Sequence, residues 1–203
     1  MQQAVAINLG NASAEEASRS LAAAFSADPT VRWICQDRRT GYDTRVRALY
    51  NVLVDFQIAC SHPRLGVWEG SRLAATCHLR PPGARLSARN QSALAIALAR
   101  RVGPHALVRG ARFEHAIASA HPRRPHYYLA SIGVDPVFQG RGYGGVLLRA
   151  ADEMVRRHPD CSGIALDTQN PRNVSLYERF GYRVTRKSTI GPLTSWWMVR
   201  DLE

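Results

Sequence analysis

Four glycines fall within six positions in Gly140-Arg141-Gly142-Tyr143-Gly144-Gly145, directly after Gln139. Glycines at that density leave backbone N–H groups bare, and bare amides at the start of a helix attract anions. An extra glycine costs about 0.5–1 kcal/mol relative to alanine within regular structure, so an ordinary turn explains one or two of them but not four. The run contains G-x-G-x-x-G, and Asp167 follows at about the spacing at which a dinucleotide-binding unit places its ribose-binding acid. Two observations count against that unit. Asp135-Pro136-Val137-Phe138-Gln139 separates the preceding strand from the first glycine, and only 36 residues follow Asp167, too few to complete a doubly wound sheet. A Walker loop fails because no Lys-Ser/Thr follows the glycines. What remains is a loop of amides suited to a phosphate-bearing ligand.

Gln139-Gly140-Arg141-Gly142-Tyr143-Gly144 resembles the pyrophosphate loop Q/R-x-x-G-x-G/A of the GNAT superfamily of acyl-CoA-dependent N-acetyltransferases, and Ile132-Gly133-Val134-Asp135-Pro136 resembles the strand and turn before it. Asn173-Val174-Ser175-Leu176-Tyr177-Glu178-Arg179-Phe180-Gly181-Tyr182 is similar to the family's N-x-x-x-x-Y-E-x-x-G-F/Y segment. The two motifs cover residues 126–185 in the family's order. More weakly, Leu21-Ala22-Ala23-Ala24-Phe25, the hairpin before residue 80 and Trp196-Trp197-Met198-Val199 look similar to the puromycin N-acetyltransferase branch.

The resemblance implies an α/β (α+β) fold with a mixed central sheet of about six or seven strands flanked by helices. It further implies that the strands near 126–134 and 163–168 splay apart to admit a pantetheine arm. Acetyl-CoA is the implied acyl donor. Main-chain groups of Ile132 and Val134 would bond the arm and polarise the thioester carbonyl. Amides from Gln139 through Gly140, Arg141, Gly142, Tyr143 and Gly144 to Gly145 would hold the pyrophosphate, with the helix dipole adding to the attraction. Arg141 either adds a charged contact or points into solvent. Asn173 either bonds the pantetheine or is simply a first-turn helix residue. Tyr177 either packs in the core or protonates the departing thiolate as general acid. The base that takes the amine proton is open among Asp167, His126, His78 and a water relay. No acyl-enzyme is suggested, so direct transfer in a ternary complex is expected. The implied activity is an N-acetyltransferase acting on a primary amine, with a small molecule favoured over a peptide. The alternatives are a catalytically silent CoA-binding sensor and an acetyltransferase of protein or peptide amines.

The elements that must position these groups can be read from period and punctuation. Val5, Ile7 and Leu9 alternate as a short strand. Ser13-Ala14-Glu15-Glu16 reads as a capping box opening a helix that stops before Asp28-Pro29. Val46, Leu49, Tyr50, Leu53 and Val54 fit a helix with one buried face. Gly66 to Leu79 reads as a hairpin turning at Glu69-Gly70-Ser71, and helices are expected near 88–101 and 104–119. The segment 120–125 is a loop, 126–134 a strand, and 143–158 a helix. Ile164 to Leu166 sits in a further strand. Asn170-Pro171 starts a helix, with Asn as N-cap and Pro in the first turn, and Gly181 ends it in a left-handed conformation. Two strands, 182–187 and 193–200, close the chain.

At 203 residues the chain is read as one N-acetyltransferase domain, 1–203. The charge is 27 Lys+Arg minus 16 Asp+Glu, or +11, but Lys187 is the sole lysine and the basic groups form no run. Nucleic acid is therefore disfavoured as principal partner, although a phosphorylated ligand would feel this field. Cys35, Cys60, Cys77 and Cys161 stand far apart and the histidines, His121 and His126 included, are scattered, so no metal is expected. No apolar run approaches the ~20 residues that span a bilayer. Met1-Gln2-Gln3-Ala4-Val5 lacks the features of a signal peptide, so a cytoplasmic location is expected without membrane association. Oligomeric state is open, a homodimer included.

Overall fold

The computed structural model describes residues 4–84, 87–120 and 122–202; Met1, Gln2, Gln3, Arg85, Leu86, His121 and Glu203 lie outside the described residues. In chain order the elements are β1 (Ile7–Asn8), α1 (Ala14–Phe25), α2 (Pro29–Cys35), α3 (Tyr42–Ala59), β2 (Arg64–Glu69), β3 (Arg72–Arg80), α4 (Ala88–Arg101) and α5 (Pro104–Ala120). They continue with β4 (Tyr127–Val134), α6 (Tyr143–Arg156), β5 (Gly163–Thr168), α7 (Pro171–Glu178), β6 (Arg183–Ile190) and β7 (Leu193–Asp201). The strands form one mixed seven-stranded sheet in the order β1-β2-β3-β4-β5-β7-β6, within the expected range of strands.

Local chemistry sets most of the helix ends. Asn170 caps α7 by accepting from the Arg172 amide at 3.1 Å, with Pro171 in the first turn, and Gly181 turns the chain out at φ +81°. Asp28 starts α2 in the same way, accepting from the Thr30 and Val31 amides at 2.9 and 3.3 Å. Asp28-Pro29, expected only to stop α1, therefore also starts a helix that the sequence period does not announce. The capping box at Ser13 is not formed. Asn11–Ser13 make a 3-10 turn that leaves Ser13 at φ −91°, ψ 14°, away from the extended backbone a capping serine needs.

The sheet carries a helix layer on each face. On one face α6 buries Leu147, Leu148, Ala151 and Val155 against Cys77, Leu79, Leu129, Ile164 and Leu166. At about 1.5–3 kcal/mol for each large aliphatic side chain taken out of water, this face is a principal stabilising contact. On the other face α1 lies over Gly133, where a Cβ would come within 2.9 Å of the Ala24 methyl and 3.1 Å of Leu21. Helices α3 and α4 stack outside α1, and α5 packs toward β6 and α2.

Among the described residues β4 and β5 are the one parallel pair, and they stay together for only two rungs, Tyr127 with Ile164 and Tyr128 with Ala165. Beyond these rungs β5 pairs with β7 on its far side and β4 with β3 on its own far side. The strands therefore part at mid-sheet, as expected for 126–134 and 163–168. One extra residue, Ala130, sits in β4 opposite the His78–Leu79 step, and such a bulge bends its strand.

The β5–β7 side is held by close backbone approach. A Cβ on Gly163 would lie 2.1 Å from the Arg200 carbonyl oxygen. Gly163→Ala is expected to destabilise the protein by about 1–3 kcal/mol or more, because main chain rather than a flexible side chain must move. Denaturant unfolding measures this, and a variant of parental stability would show that the pairing relaxes freely.

Candidate active site

The glycine loop begins where β4 ends. Asp135 accepts from the Val137 amide at 3.0 Å and holds Pro136–Phe138 in a 3-10 turn, after which Gln139 is extended. Gly140 and Gly142 lie at φ +79° and +81°, conformations that side chains disfavour, and a Cβ on either would meet nothing within 4 Å. Glycine is needed there for backbone geometry, and the space over the loop is open. Gly145 has a different reason: a Cβ there would press to 2.9 Å against the Phe180 ring. Gly142 is the N-cap of α6, and its carbonyl takes the Val146 amide at 3.2 Å. The amides of Tyr143, Gly144 and Gly145, in the turn before it, have no intrahelical acceptor.

Arg141 does not point freely into solvent. It is hydrogen-bonded to Glu69 and its guanidinium lies over the Phe138 ring, 5.4 Å from the centroid. The Tyr143 hydroxyl donates to the other Glu69 oxygen. That hydrogen bond, followed by the one from Arg141, holds the Glu69 carboxyl below its ordinary range against some desolvation.

The parted strands expose backbone. The Asp135 amide donates to the Ala74 carbonyl at 2.9 Å, so Asp135, Gly133 and Ser131 turn their polar groups toward β3. By strand alternation Ile132 and Val134 turn theirs into the gap. Gln139 Nε2 reaches the Val134 carbonyl at 3.2 Å, and among the described residues no strand pairs with that edge past Tyr128.

Asn173 and Tyr177 lie one turn apart on α7. Asn173 Nδ2 donates to Thr168 Oγ1 at 3.4 Å. The Tyr177 ring is buried in the same core cluster as Leu79, Leu166 and Met198 and meets Tyr182 edge-on at 5.7 Å between centroids. Its hydroxyl has no hydrogen-bond partner among the described residues, and burial raises its pKa, so it stays protonated.

Asp167 comes to the gap from the opposite face. Ile164 and Leu166 point to the α6 side with Tyr177, whereas Ala165 packs on the other side with Tyr128 and Trp197, and alternation puts Asp167 with Ala165. Tyr128 donates to Asp167 Oδ1. Gln169 Nε2 donates to Oδ2 at 2.5 Å and to Ser195 Oγ at 3.1 Å, while Gln169 Oε1 accepts from Thr30 Oγ1 at 2.7 Å. Desolvation pushes the Asp167 pKa up to about 6, against the lowering effect of the Tyr128 and Gln169 hydrogen bonds. The carboxyl is surrounded by protein yet only partly covered, as a group lining a cleft should be.

The other two base candidates are placed away from this point. His126 precedes β4 at the end where β4 and β5 remain paired, with Nδ1 at 2.8 Å from the Arg124 carbonyl. His78 is 2% exposed on the face of β3 opposite Cys77 and Leu79, and burial, with Arg64 and His62 nearby, pushes its pKa down to about 3. Cys35 and Cys77 are buried, with their thiols pushed up to about 11 and about 12. Among the described residues no group of three His, Cys, Asp or Glu is arranged to hold a metal ion, and no helix is long and apolar enough to cross a membrane.

Sequence reasoning missed Thr30, Gln169 and Ser195 as partners of Asp167. Thr30 had a usable signal, the Asp-Pro helix start before it. Glu69, expected only as a hairpin-turn residue, is committed to the glycine loop.

Residues 47–182 match the acetyltransferase (GNAT) family. An acetyltransferase of Agrobacterium fabrum is 34% identical over 83 residues, which is 41% of this chain and 58% of that protein. The chain thus spans less than two thirds of that curated relative. In three dimensions the chain is similar to the histone acetyltransferase HPA2 and related acetyltransferase from Corynebacterium glutamicum, with a TM-score of 0.73 at 21% identity over 100% of this chain and 98% of that one. The PaiA N-acetyltransferase from Thermoplasma acidophilum in complex with coenzyme A gives 0.59 at 12% identity, over 98% and 99% of the two chains. A GNAT family acetyltransferase from Brucella melitensis in complex with acetyl-CoA gives 0.54 at 14% identity, over 100% and 90%. At these identities the structural likeness speaks for the fold.

Proposed function

Because this chain belongs to the GNAT family of acetyltransferases, we propose that it moves the acetyl group of acetyl-CoA to a primary amine of a small molecule, by direct transfer in a ternary complex. The observation that carries the reading is the gap between β4 and β5, with the glycine loop following β4, Asp167 on β5 past the last shared rung, and Tyr177 buried on the α6 face of the sheet. In this reading residues 1–203 act as a single catalytic domain.

The residues fit an acyl-CoA. The Gln139 amide, expected to join the loop's anion site, donates to the Pro136 carbonyl at 3.4 Å. The amides of Gly140, Arg141, Gly142, Tyr143, Gly144 and Gly145 are the ones left at the start of α6, where a diphosphate would gain from both hydrogen bonds and the helix dipole. The free edge of Ile132 and Val134 matches the amide groups of a pantetheine arm. Asn173 adds a side-chain amide beside it.

When bound, acetyl-CoA supplies a thioester whose acyl carbon accepts the amine and whose sulfur leaves. Asp167 takes a proton from the attacking nitrogen, and Tyr128 and Gln169 hold its two oxygens in place. Backbone amides on the β4 edge stabilise the negative charge that grows on the acyl oxygen. Tyr177 gives its hydroxyl proton to the departing sulfur and recovers one from solvent. The C–S bond breaks as the C–N bond forms, and the nitrogen's proton leaves through Asp167. The high thiol pKa values at Cys35 and Cys77 support direct transfer over an acyl-enzyme.

Thr30 of α2 and Ser195 of β7 hydrogen-bond to Gln169, which in turn holds Asp167, so two further elements fix the carboxyl's position. The similarity of Leu21–Phe25 and Trp196–Val199 to the puromycin N-acetyltransferase branch points toward a small amphipathic amine as acceptor.

Thiol release from acetyl-CoA across a library of small amines, peptides and proteins tests this reading. Turnover only on protein lysines or N-termini would overturn the acceptor class. CoA binding without turnover on any amine would favour a sensor. CoA at 100 times its dissociation constant should add about 2.7 kcal/mol of stability. Gly142→Asp is expected to abolish most of that gain, through strain at φ +81° and a negative charge set against phosphate. Equal CoA-induced melting shifts in variant and parent would remove the loop from the binding site.

A further inference from the structure

The turn between β2 and β3 is only Gly70-Ser71, and the residues flanking it, Glu69 and Arg72, face each other across the hairpin. Both reach away from the hairpin to the glycine loop, and they reach its two ends. Arg72 Nη2 lies 3.3 Å from Asp135 Oδ2, at the start of the loop, where Asp135 also caps the 3-10 turn. Glu69 takes Arg141 on one oxygen and the Tyr143 hydroxyl on the other, at the end of the loop where α6 begins. Between them the Phe138 ring carries a guanidinium at each site, Arg72 at 5.0 Å and Arg141 at 5.4 Å from its centroid.

From this arrangement we infer that Glu69 and Arg72 form a brace that fixes the glycine loop before the cofactor arrives, with Glu69 aiming Arg141 and Tyr143. Both are positioning residues that act through the loop. The inference rests on the reading that the loop holds the CoA pyrophosphate, and it goes beyond it by assigning the hairpin turn a part in that site.

The physical case is one of preorganisation. Gly140 and Gly142 give the loop its open amides but leave its backbone freer than any other residue type would. A loop that must order on binding loses affinity to that ordering. Two opposite charges, placed as cross-strand partners on a rigid two-residue turn, restrain both ends of the loop at once. Glu69 also sets its negative charge near a site for phosphate, which would oppose binding if the carboxylate were unpaired; pairing with Arg141 removes that opposition. Half-exposed ion pairs contribute little to global stability, so the effect belongs in loop order and binding rather than in the melting temperature.

The experiment combines two readouts on Glu69→Ala and Arg72→Ala, with Glu15→Ala as a control that breaks an exposed pair elsewhere, Arg19 with Glu15. Hydrogen exchange of the segment 135–146 in ligand-free protein tests the brace alone. Calorimetric binding of CoA, with KM for acetyl-CoA and kcat, tests its consequence. Faster exchange of that segment in both variants, and not in the control, is expected. CoA affinity should fall about tenfold in Glu69→Ala, the scale of a positioned charged hydrogen bond, with KM rising and kcat within about twofold of the parent. Adding Glu69→Ala to Arg141→Ala should cost less than Glu69→Ala alone, because Glu69 acts partly through Arg141. Unchanged exchange would overturn the brace, as would tighter CoA binding in Glu69→Ala. Faster exchange in the variants, with a parent that binds no CoA, would instead keep the brace and overturn the cofactor assignment.

Discussion

Tyr177→Phe is expected to lower turnover about 10²–10⁴-fold, the usual range for loss of a general acid or base, while acetyl-CoA affinity stays close to that of the parent. The substitution removes one oxygen from a ring buried in the core and set edge-on against Tyr182. No protein hydrogen bond is lost, since the hydroxyl has no partner among the described residues, so the fold should keep its stability. Burial raises the Tyr177 pKa and the Asp167 charge raises it further. A hydroxyl so held is protonated throughout the working range, which is what a proton donor to sulfur requires. A raised pKa also makes it a reluctant acid, so its proton moves only as negative charge accumulates on sulfur. Steady-state rates with CoA affinities for both proteins provide the measurement. Near-parental turnover would reduce Tyr177 to a core residue and leave the acid step to solvent.

The parts of this site carried by short-range rules were open to reading from the sequence. The φ requirement at Gly140 and Gly142, the Asn170-Pro171 helix start and the left-handed Gly181 are all decided within a few residues, and each stands where its local signal put it. The strand pattern of 126–134 and 163–168 was equally local. Short-range rules also misled, in two instructive places. Asp28-Pro29 ends one helix and begins the next, but α2 is only seven residues long, too short to show a 3.6-residue period. Ser13 and Glu16 have the right spacing for a capping box, yet the 3-10 turn at Asn11 sets the backbone of Ser13 wrongly for it.

What could not be read was the pairing of distant residues. Glu69 and Arg141 are 72 positions apart, Tyr128 and Asp167 are 39, and Thr30 and Gln169 are 139. No periodicity or cap signal links such positions; sheet order does. The base illustrates the cost. Asp167 is the favoured of three candidates by sequence, and the topology places them differently: His126 at the closed end of the strand pair, His78 buried on β3, Asp167 past the last β4–β5 rung.

Asp167→Asn should therefore have the second large effect, a fall in turnover of about 10²–10⁴-fold at neutral pH, and its pH dependence distinguishes a base from a structural acid. The carboxyl must be ionised to accept a proton, and its pKa is pushed up to about 6. The parent's kcat/KM should then rise with pH through about 6 and level off above it, and the residual activity of Asp167→Asn should lack that limb. Stability carries the opposite sign. The folded-state pKa lies above the ordinary value of 3.8, so the folded protein holds this proton more tightly than the unfolded chain does. The contribution of Asp167 to stability is fully present below about pH 4 and is lost as pH rises through about 6, because ionisation then places a desolvated charge in the cleft. Relative to Asp167→Asn, the parent should lose stability across that window while it gains activity. A water relay predicts a different pair of results: the variant keeps most of its turnover and the acid limb persists. Melting temperatures and rates measured on both proteins from pH 4.5 to 8, on whichever amine is turned over, decide between the two. Activity and stability crossing near the same pH would tie both to one carboxyl, because only a group that is costly to ionise in place and needed in that ionised form produces the crossing.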